Sequence, residues 1–254
     1  WQDNTRELVM SNEDIDVYEN PFALSIGFAA SPDIMHYRSS NINPLENQNQ
    51  LLQAIDPDSS GVYIPVPIEV DDSSQANLFP YNESDTIFSF DKNSDDGTAE
   101  LVFSLTAEEE GTYNLAYDMR GHKTSGGKIT IDEKSFSFSA RAVGNAEVGY
   151  LEAGQTALIS FTLGSESERS GEFEFYAARL ERDSFVSSIS RIKATQFQLD
   201  RFSSDYFRGS IVMPEGGYLL LTVPYDRGWH ATVNGQKQSI ETVDNSLMAL
   251  ELPA

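Results

Sequence analysis

The sequence contains no cysteine, no long apolar run and few basic residues. Without cysteine, the chain has no disulfide, zinc–thiolate site or nucleophilic thiol. No apolar run is long enough to span a bilayer, and no signal peptide is recognisable. Lys and Arg number 17 against 40 Asp and Glu, a formal net charge of −23. This charge argues against nucleic acid as a partner and against a peripheral anchor on anionic lipid. Solubility explains it most simply, and attraction for cations or for a basic wall component is the alternative.

Motifs for metal binding and nucleophilic catalysis are also missing. The histidines, His36, His122 and His230, are scattered, and no His-Glu-x-x-His, Gly-x-Ser-x-Gly or phosphate-binding glycine loop occurs. Each histidine is expected to be a surface or structural residue. The sequence therefore predicts no metal, no cofactor and no catalytic residue in this chain.

One acidic loop resembles the start of a calcium-binding loop. Asp91–Gly97 places oxygen-bearing side chains at alternate positions. Its glycine comes one place late, and Val102 occupies the position of the closing bidentate Glu. We therefore favour an acidic hairpin loop over a calcium site.

The residues that are present indicate a packed, mainly β protein. Hydrophobic residues make up 39% of the 254-residue chain, enough for one large or two small domains. Alternating apolar positions recur between Thr86 and Leu180, separated by turn clusters such as Glu110-Gly111, Ser125–Gly127 and Ser170-Gly171. Short alternating strands at this spacing predict an antiparallel, jelly-roll-like β-sandwich.

Two helices are predicted outside the strand-rich region. The first begins at Asn43, which suits the N-cap, with Pro44 as the first helical residue and Glu46 at the third position. It continues with an apolar stripe to Ile55. The second, Asp183 to Lys193, is a short connector behind an Asp cap.

These elements predict three parts. Residues 1–85 form an N-terminal α/β segment with one helix, which packs on the rest and contains a hairpin near Met10 and edge strands after Gly61. Residues 86–182 form the sandwich. Residues 183–254 form the connector helix and a small β-unit, whose last strand would follow Ala254. Both ends look cut, so we expect the chain to be an excised soluble piece of a longer protein.

The stretch Leu219–Gly235 carries the candidate site. Leu219, Leu221 and Val223 alternate as one strand face, the alternation resumes at Trp229, and Asn234-Gly235 predicts a type I′ hairpin turn. Tyr225, Asp226 and Trp229 are candidates for a small carbohydrate-binding platform, because exposed aromatic rings stack on sugars. The alternative, which we favour, is a Trp packed into the core and an Asp that accepts backbone hydrogen bonds in the turn.

Two blocks resemble the YfhO family of polytopic bacterial membrane proteins, which are similar to GT-C-like, lipid-sugar-dependent glycosyltransferases. The first joins Tyr-Glu-Asn-Pro-Phe-Ala-Leu-Ser-Ile-Gly-Phe28 to Asn43-Pro-Leu-Glu-Asn-Gln-Asn-Gln-Leu-Leu52, and the second is Pro224-Tyr-Asp-Arg-Gly-Trp229 with Asn234-Gly235. Together they cover about a quarter of the chain. Ser25 stands where the family's block has Pro, a mild departure.

The resemblance implies an extracytoplasmic domain of a Gram-positive membrane glycosyltransferase that modifies a cell-wall polymer such as teichoic acid. Catalysis would then rest on the membrane portion of the same polypeptide, and this chain would position the acceptor or support that portion. A non-enzymatic extracellular carbohydrate-binding or adhesion module is the alternative, and a purely structural lid is a third. Many spanning helices before Trp1 would favour the transferase, whereas a signal peptide would favour the adhesion module.

Overall fold

The computed structural model describes residues 7–12, 14–40, 43–80, 86–93, 97–213 and 215–254. The described chain is mainly β with antiparallel sheets, as the sequence predicted. Two α-helices occur in these ranges, α1 (Pro44–Ile55) and α2 (Arg182–Ala194), together with a 3-10 helix at Pro32–His36. Both predicted helices are confirmed, but α2 begins at Arg182, so Asp183 lies in its first turn and is not the predicted cap.

The strands of the described residues, in chain order, are β1 (Glu7–Ser11), β2 (Asp16–Glu19), β3 (Gly27–Ala30), β4 (Tyr63–Val66), β5 (Glu69–Val70), β6 (Ala76–Pro80), β7 (Ile87–Lys92), β8 (Ala99–Thr106), β9 (Gly111–Asp118), β10 (Thr124–Ile131), β11 (Lys134–Phe138), β12 (Val143–Leu151), β13 (Thr156–Leu163), β14 (Ser170–Leu180), β15 (Gln198–Ser203), β16 (Tyr206–Ser210), β17 (Gly217–Pro224), β18 (Ala231–Val233), β19 (Gln236–Gln238), β20 (Glu241–Val243) and β21 (Leu247–Leu252).

The described residues fold into two compact units, each built from separate stretches of chain. One comprises Ser40–Asn49 and Val62–Arg182, and the other comprises Trp1–Ser39, Gln50–Gly61 and Asp183–Ala254. Parts of residues 1–85 thus belong to each unit. We call them the sandwich unit and the C-terminal unit.

The sandwich unit consists of two antiparallel sheets. One has the order β11-β10-β13-β8-β5, and the other has the order β12-β9-β14-β7-β6, with β4 also paired to β14. Inward side chains of both sheets form one apolar cluster that includes Leu101, Leu115, Ile159 and Phe175, all fully buried. Burial of these alternating apolar faces on each other stabilises the sandwich.

Aromatic rings fill the centre of this cluster. Phe103 contacts Phe88 and Phe175 with ring centroids 4.9 Å apart in each pair, and Phe161 contacts Phe175 at 5.1 Å. These edge-on and tilted arrangements are the favourable ones for aromatic pairs. The phenylalanines of the alternating pattern therefore account for the packed core.

Two local predictions in this unit were wrong. The acidic loop after β7 is not a hairpin, because β7 and β8 lie in different sheets; the calcium-like motif itself falls partly on residues 94–96, outside the described residues. Ser125–Gly127 lies inside β10 instead of forming a turn. Gly127 is required there by close approach, since a Cβ would lie 2.2 Å from Cζ of Phe138.

Helix α1 begins as the sequence predicted. The Asn43 side-chain oxygen accepts hydrogen bonds from the backbone N–H groups of Leu45 (3.0 Å) and Glu46 (3.2 Å). Farther along the helix, Asn49 is a buried amide. Its Oδ1 accepts from the N–H groups of Val62 (2.8 Å) and Tyr63 (2.9 Å), and its Nδ2 donates to the Tyr63 carbonyl (2.8 Å). Asn49 thus ties the helix to the start of β4.

The C-terminal unit is built on a four-stranded sheet with the order β20-β21-β17-β3. On one face Leu220 and Phe28 pack with Ile34 of the 3-10 helix, Ile55 of α1 and Ile192 of α2. The opposite face belongs to a second cluster, which contains Leu219, Leu221, Met248, Phe197, Phe207 and Trp229. Alternate residues of β17 therefore pack into different clusters, with Leu220 in the first and Leu219 and Leu221 in the second.

Candidate functional site

An open cleft of about 470 Å3 lies in the C-terminal unit, beside the turn that follows β17. It is lined by Tyr225, Trp229, His230, Ala231, Thr232, Lys237, Gln238, Ser239 and Ile240. Two of the three residues singled out from the sequence, Tyr225 and Trp229, thus share one cleft. Asp226, the third, does not line it.

Trp229 lines the cleft and also packs against the second cluster of the C-terminal unit. It lies in the turn before β18, not in the strand, and is half-buried. Its ring centroid lies 5.6 Å from that of Phe207, and Ala231 and Val233 pack against the same cluster. Trp229 therefore faces the core together with Ala231 and Val233, as the alternation predicted, although part of the indole remains accessible.

Asp226 organises the turn. Its Oδ1 accepts a hydrogen bond from the Gly228 N–H at 2.7 Å, and its carbonyl accepts one from the Trp229 N–H at 3.1 Å. This is the local bonding that Asp side chains provide in turns. Tyr225 is fixed through its N–H, which donates to the Ser246 carbonyl at 2.8 Å, while its side chain is 40% exposed.

The Asn234-Gly235 turn brings the other wall into place. Both residues have positive φ, 50° and 80°, as a type I′ turn requires. The turn pairs Ala231 with Gln238 and Thr232 with Lys237. Sequence reasoning missed Lys237 and Gln238, although the register imposed by a two-residue turn would have placed them opposite β18.

The cleft is electrostatically distinct from the chain as a whole. Its lining contains Lys237 and His230 and no carboxylate, in a chain of net charge −23. An aromatic surface with hydroxyl, amide and ammonium groups around it suits a neutral or anionic polar ligand with an apolar face. The arrangement can bind and orient such a ligand, and it holds no nucleophile–base pair.

No group of three or more His, Cys, Asp or Glu within the described ranges could hold a metal ion. A second, shallower depression of about 280 Å3 lies on the sandwich unit around Gly126, Gly127 and Phe138. It has a single aromatic ring, so it makes a poorer binding surface than the cleft beside Trp229.

Fold and site together define a mainly β protein in which an antiparallel sandwich accompanies a smaller unit with an aromatic-lined cleft. The chain belongs to the YfhO family, described as bacterial membrane protein YfhO, whose family model matches residues 3–254. The predicted resemblance is thereby confirmed. Among the described helices, none has the length and apolar character needed to cross a membrane.

Similar solved structures include a family 35 carbohydrate binding module from Clostridium thermocellum, 14% identical, with 46% of this chain and 95% of that one covered and a TM-score of 0.28. Another is Xyl-CBM35 in complex with a glucuronic acid-containing disaccharide, 12% identical, covering 43% and 92%, with a TM-score of 0.26. A third is a Paenibacillus sp. cycloisomaltooligosaccharide glucanotransferase, 10% identical, covering 74% and 44%, with a TM-score of 0.26. These similarities concern the fold alone. No match was found among curated proteins.

Proposed function

We propose that this chain is the extracytoplasmic domain of a membrane-embedded, glycosyltransferase-like protein that glycosylates a cell-wall polymer of the teichoic acid type. In this proposal the cleft beside Trp229 binds the acceptor polymer and presents it to the membrane portion of the same polypeptide. Membership of a bacterial membrane protein family supports the setting.

The observation that carries the binding role is that Tyr225 and Trp229 line the same open cleft. β19 adds the ammonium of Lys237 and the side-chain carbonyl of Gln238, whose Nε2 already donates to the Glu251 carbonyl at 3.0 Å. Aromatic faces bind the apolar side of a sugar or polyol, and polar groups at the rim fix its orientation. Lys237 adds attraction for the phosphate of a teichoic acid.

In this proposal the sugar-transfer step takes place in the membrane portion of the polypeptide and not in the cleft. The cleft lining has no carboxylate, and its one histidine, His230, has no acidic partner there. Transfer from a lipid-linked donor would use carboxylates of the membrane portion, and the chain described here would contribute acceptor binding. Loss of the cleft should consequently weaken acceptor use more than it changes donor use.

Binding of purified teichoic acid to the 254-residue chain, measured by isothermal titration calorimetry, tests the proposal. Tyr225→Ala and Lys237→Gln should each weaken binding by about tenfold, equivalent to ~1.4 kcal/mol. Trp229→Phe should weaken it less, since a ring remains to pack on Phe207. Thermal melts should stay near wild type for Tyr225→Ala because Tyr225 is 40% exposed and belongs to no buried cluster of the described residues.

Tyr150→Ala is the matched control, because Tyr150 is an exposed tyrosine of the sandwich unit. It should leave binding unchanged. The proposal fails if the wild-type chain does not bind the polymer, or if Tyr225→Ala and Lys237→Gln bind it as well as wild type. Expressing the full gene with Tyr225→Ala in a deletion strain separates a transferase from an adhesion module, since only a transferase would lose wall glycosylation.

A further inference from the structure

The hairpin formed by β15 and β16 in the C-terminal unit exposes large apolar side chains. Every residue of β15 is exposed. Phe202 is 64% exposed and Tyr206 47%, and Val212, just beyond the hairpin, is 75% exposed. Exposed aromatic rings of this size on a projecting two-stranded ribbon indicate a contact surface.

The strand register separates the two faces of this hairpin. Phe202 lies opposite Phe207, and Arg201 lies opposite Arg208. Phe207 packs against Phe197 and Trp229 with ring centroids 6.3 and 5.6 Å away, so its face is covered at that point. Phe202 is equally distant from the turn but remains 64% exposed.

The other face carries an unusual charge arrangement. Arg201 and Arg208 are directly opposed across the strands, where like charges are destabilising. Neither has an ion-pair or hydrogen-bond partner among the described residues. Several other basic side chains of the described chain pair with carboxylates, for example Arg120 with Asp118 and Arg191 with Asp56, and others donate to backbone carbonyls, as Lys193 does to Pro21. An unpaired arginine couple in so acidic a chain points to an external anion.

The charge of the surrounding sequence supports this reading. Residues 198–240 contain four Asp or Glu and four Lys or Arg, so the net charge of −23 resides entirely in the rest of the chain. An anionic surface repels the acidic residues outside 198–240 but does not repel this net-neutral segment. The net charge of the chain therefore allows contact with an anionic surface through residues 198–240 only.

We propose that the β15–β16 hairpin docks on the membrane surface. Phe202 and Tyr206, which belong to the two strand pairs next to the turn, enter the boundary between headgroups and acyl chains, and Arg201 and Arg208, in the next pair, bind lipid phosphates. Aromatic and arginine side chains are the residues that anchor proteins at this depth, and guanidinium groups match phosphate geometry. Docking requires no ligand in the cleft beside Trp229 and would orient the C-terminal unit at the bilayer.

Family membership and charge both favour lipid as the occupant. The chain belongs to a family of membrane proteins, which makes a bilayer a surface available to it. The β1–β2 hairpin also exposes apolar residues, including Ile15 at 59%, but its sequence from Glu7 to Glu19 contains acidic residues and no Lys or Arg. An anionic bilayer should repel that hairpin, which makes it the internal control.

Because the chain has no cysteine, single labels can report on depth. The variants Phe202→Cys and Ile15→Cys, each carrying the environment-sensitive dye NBD, are held by a His-tag on vesicles containing nickel-chelating lipid and phosphatidylglycerol. Insertion predicts a blue shift and increased emission at position 202 and none at position 15. No shift at position 202, or equal shifts at both positions, would overturn the proposal.

The arginines are tested by vesicle co-sedimentation of the untethered chain. Replacement of both by glutamine (R201Q/R208Q) should weaken partitioning onto phosphatidylglycerol vesicles roughly 30-fold, and replacement of both by lysine should largely preserve it. Neither change should lower the melting temperature, and R201Q/R208Q should raise it slightly because it removes the repulsion between the two guanidinium groups. Binding that is indifferent to R201Q/R208Q would refute the phosphate contact. Soluble glycerol phosphate that displaces the chain at equal phosphate concentration would identify a free phosphate site instead of a membrane.

Discussion

Phe28 and Leu220 lie directly opposite each other on the adjacent antiparallel strands β3 and β17, although they are far apart in the sequence. Both side chains are buried in the core that receives α1 and α2. Phe28 ends the first half of one family block, and Leu220 lies on the strand that leads into the other block at Pro224. The two blocks therefore reach adjacent strands of one sheet.

Replacing Leu220 by Ala should destabilise the C-terminal unit by roughly 2–5 kcal/mol, the usual cost of removing a large aliphatic side chain from a core. The cost arises because Phe28, Ile192 and Ala249 lose their shared neighbour. Urea unfolding followed by circular dichroism measures the change. Val212→Ala is the control, because Val212 is exposed, and it should stay within about 0.5 kcal/mol of wild type. Equal midpoints for the two variants would contradict the assigned core.

The buried amide of Asn49 makes a second prediction. Asn49→Ala removes the partner of two N–H groups and one carbonyl, those of Val62 and Tyr63. Each buried group left unsatisfied costs roughly 1–3 kcal/mol, so this single change should lower stability by more than a typical surface substitution. Thermal melting measures the effect. Gln53→Ala, an exposed amide on the same helix, should have little effect, and a similar loss for both variants would refute the role of Asn49.

Local sequence signals predicted local structure well. The Asn43 cap fixed the start of α1, and Asn234-Gly235 gave the observed turn, because each depends on the conformational preferences of a few adjacent residues. The pairing of β3 with β17 was not predictable in this way. It depends on apolar burial between distant segments, which alternation alone assigns to a face but not to a partner.

The site shows the same limit. Alternation correctly placed Trp229 on the inward side, and the turn chemistry of Asp226 followed from its residue type. Lys237 lines the cleft because the hairpin register places it opposite Thr232. Phe207 contacts Trp229 from a different hairpin, β15–β16. Such contacts need the tertiary arrangement, which no single stretch of sequence encodes.

Tyr176 gives a prediction for alkaline pH. Burial, together with the hydrogen bond that its hydroxyl donates to Glu174 Oε2 at 2.8 Å, raises the pKa of Tyr176 from 10.0 to about 12. Above pH 10 the unfolded chain therefore loses this proton while the folded chain retains it, so stability falls as pH rises from 10 towards about 12. Tyr176→Phe should make this decline less steep in urea unfolding at a series of pH values.

The matched control for Tyr176 is Tyr18→Phe, because Tyr18 is exposed on the β1–β2 hairpin. Burial also raises the pKa of Tyr117, so some decline should persist in every variant. Parallel pH profiles for wild type and Tyr176→Phe would show that the phenol makes no contribution.

Lys92 gives the last prediction, because a buried ammonium holds together the loops at one end of the sandwich. It is 1% exposed, and its Nζ donates to the carbonyls of Gly97 (3.2 Å), Gly164 (3.4 Å) and Ser167 (3.0 Å). Lys92→Met keeps the aliphatic stem but removes the donor to the Gly97 and Ser167 carbonyls, whereas the Gly164 carbonyl keeps the hydrogen bond from the Ser167 N–H at 3.0 Å. We expect a loss of roughly 1–3 kcal/mol per unsatisfied group in urea unfolding, and faster amide exchange in the loop around Gly164. Lys134→Met, at an exposed lysine of β11, should change neither quantity. Stability and exchange that match wild type in Lys92→Met would show that the carbonyls find water instead, and that the ammonium does not hold the loops.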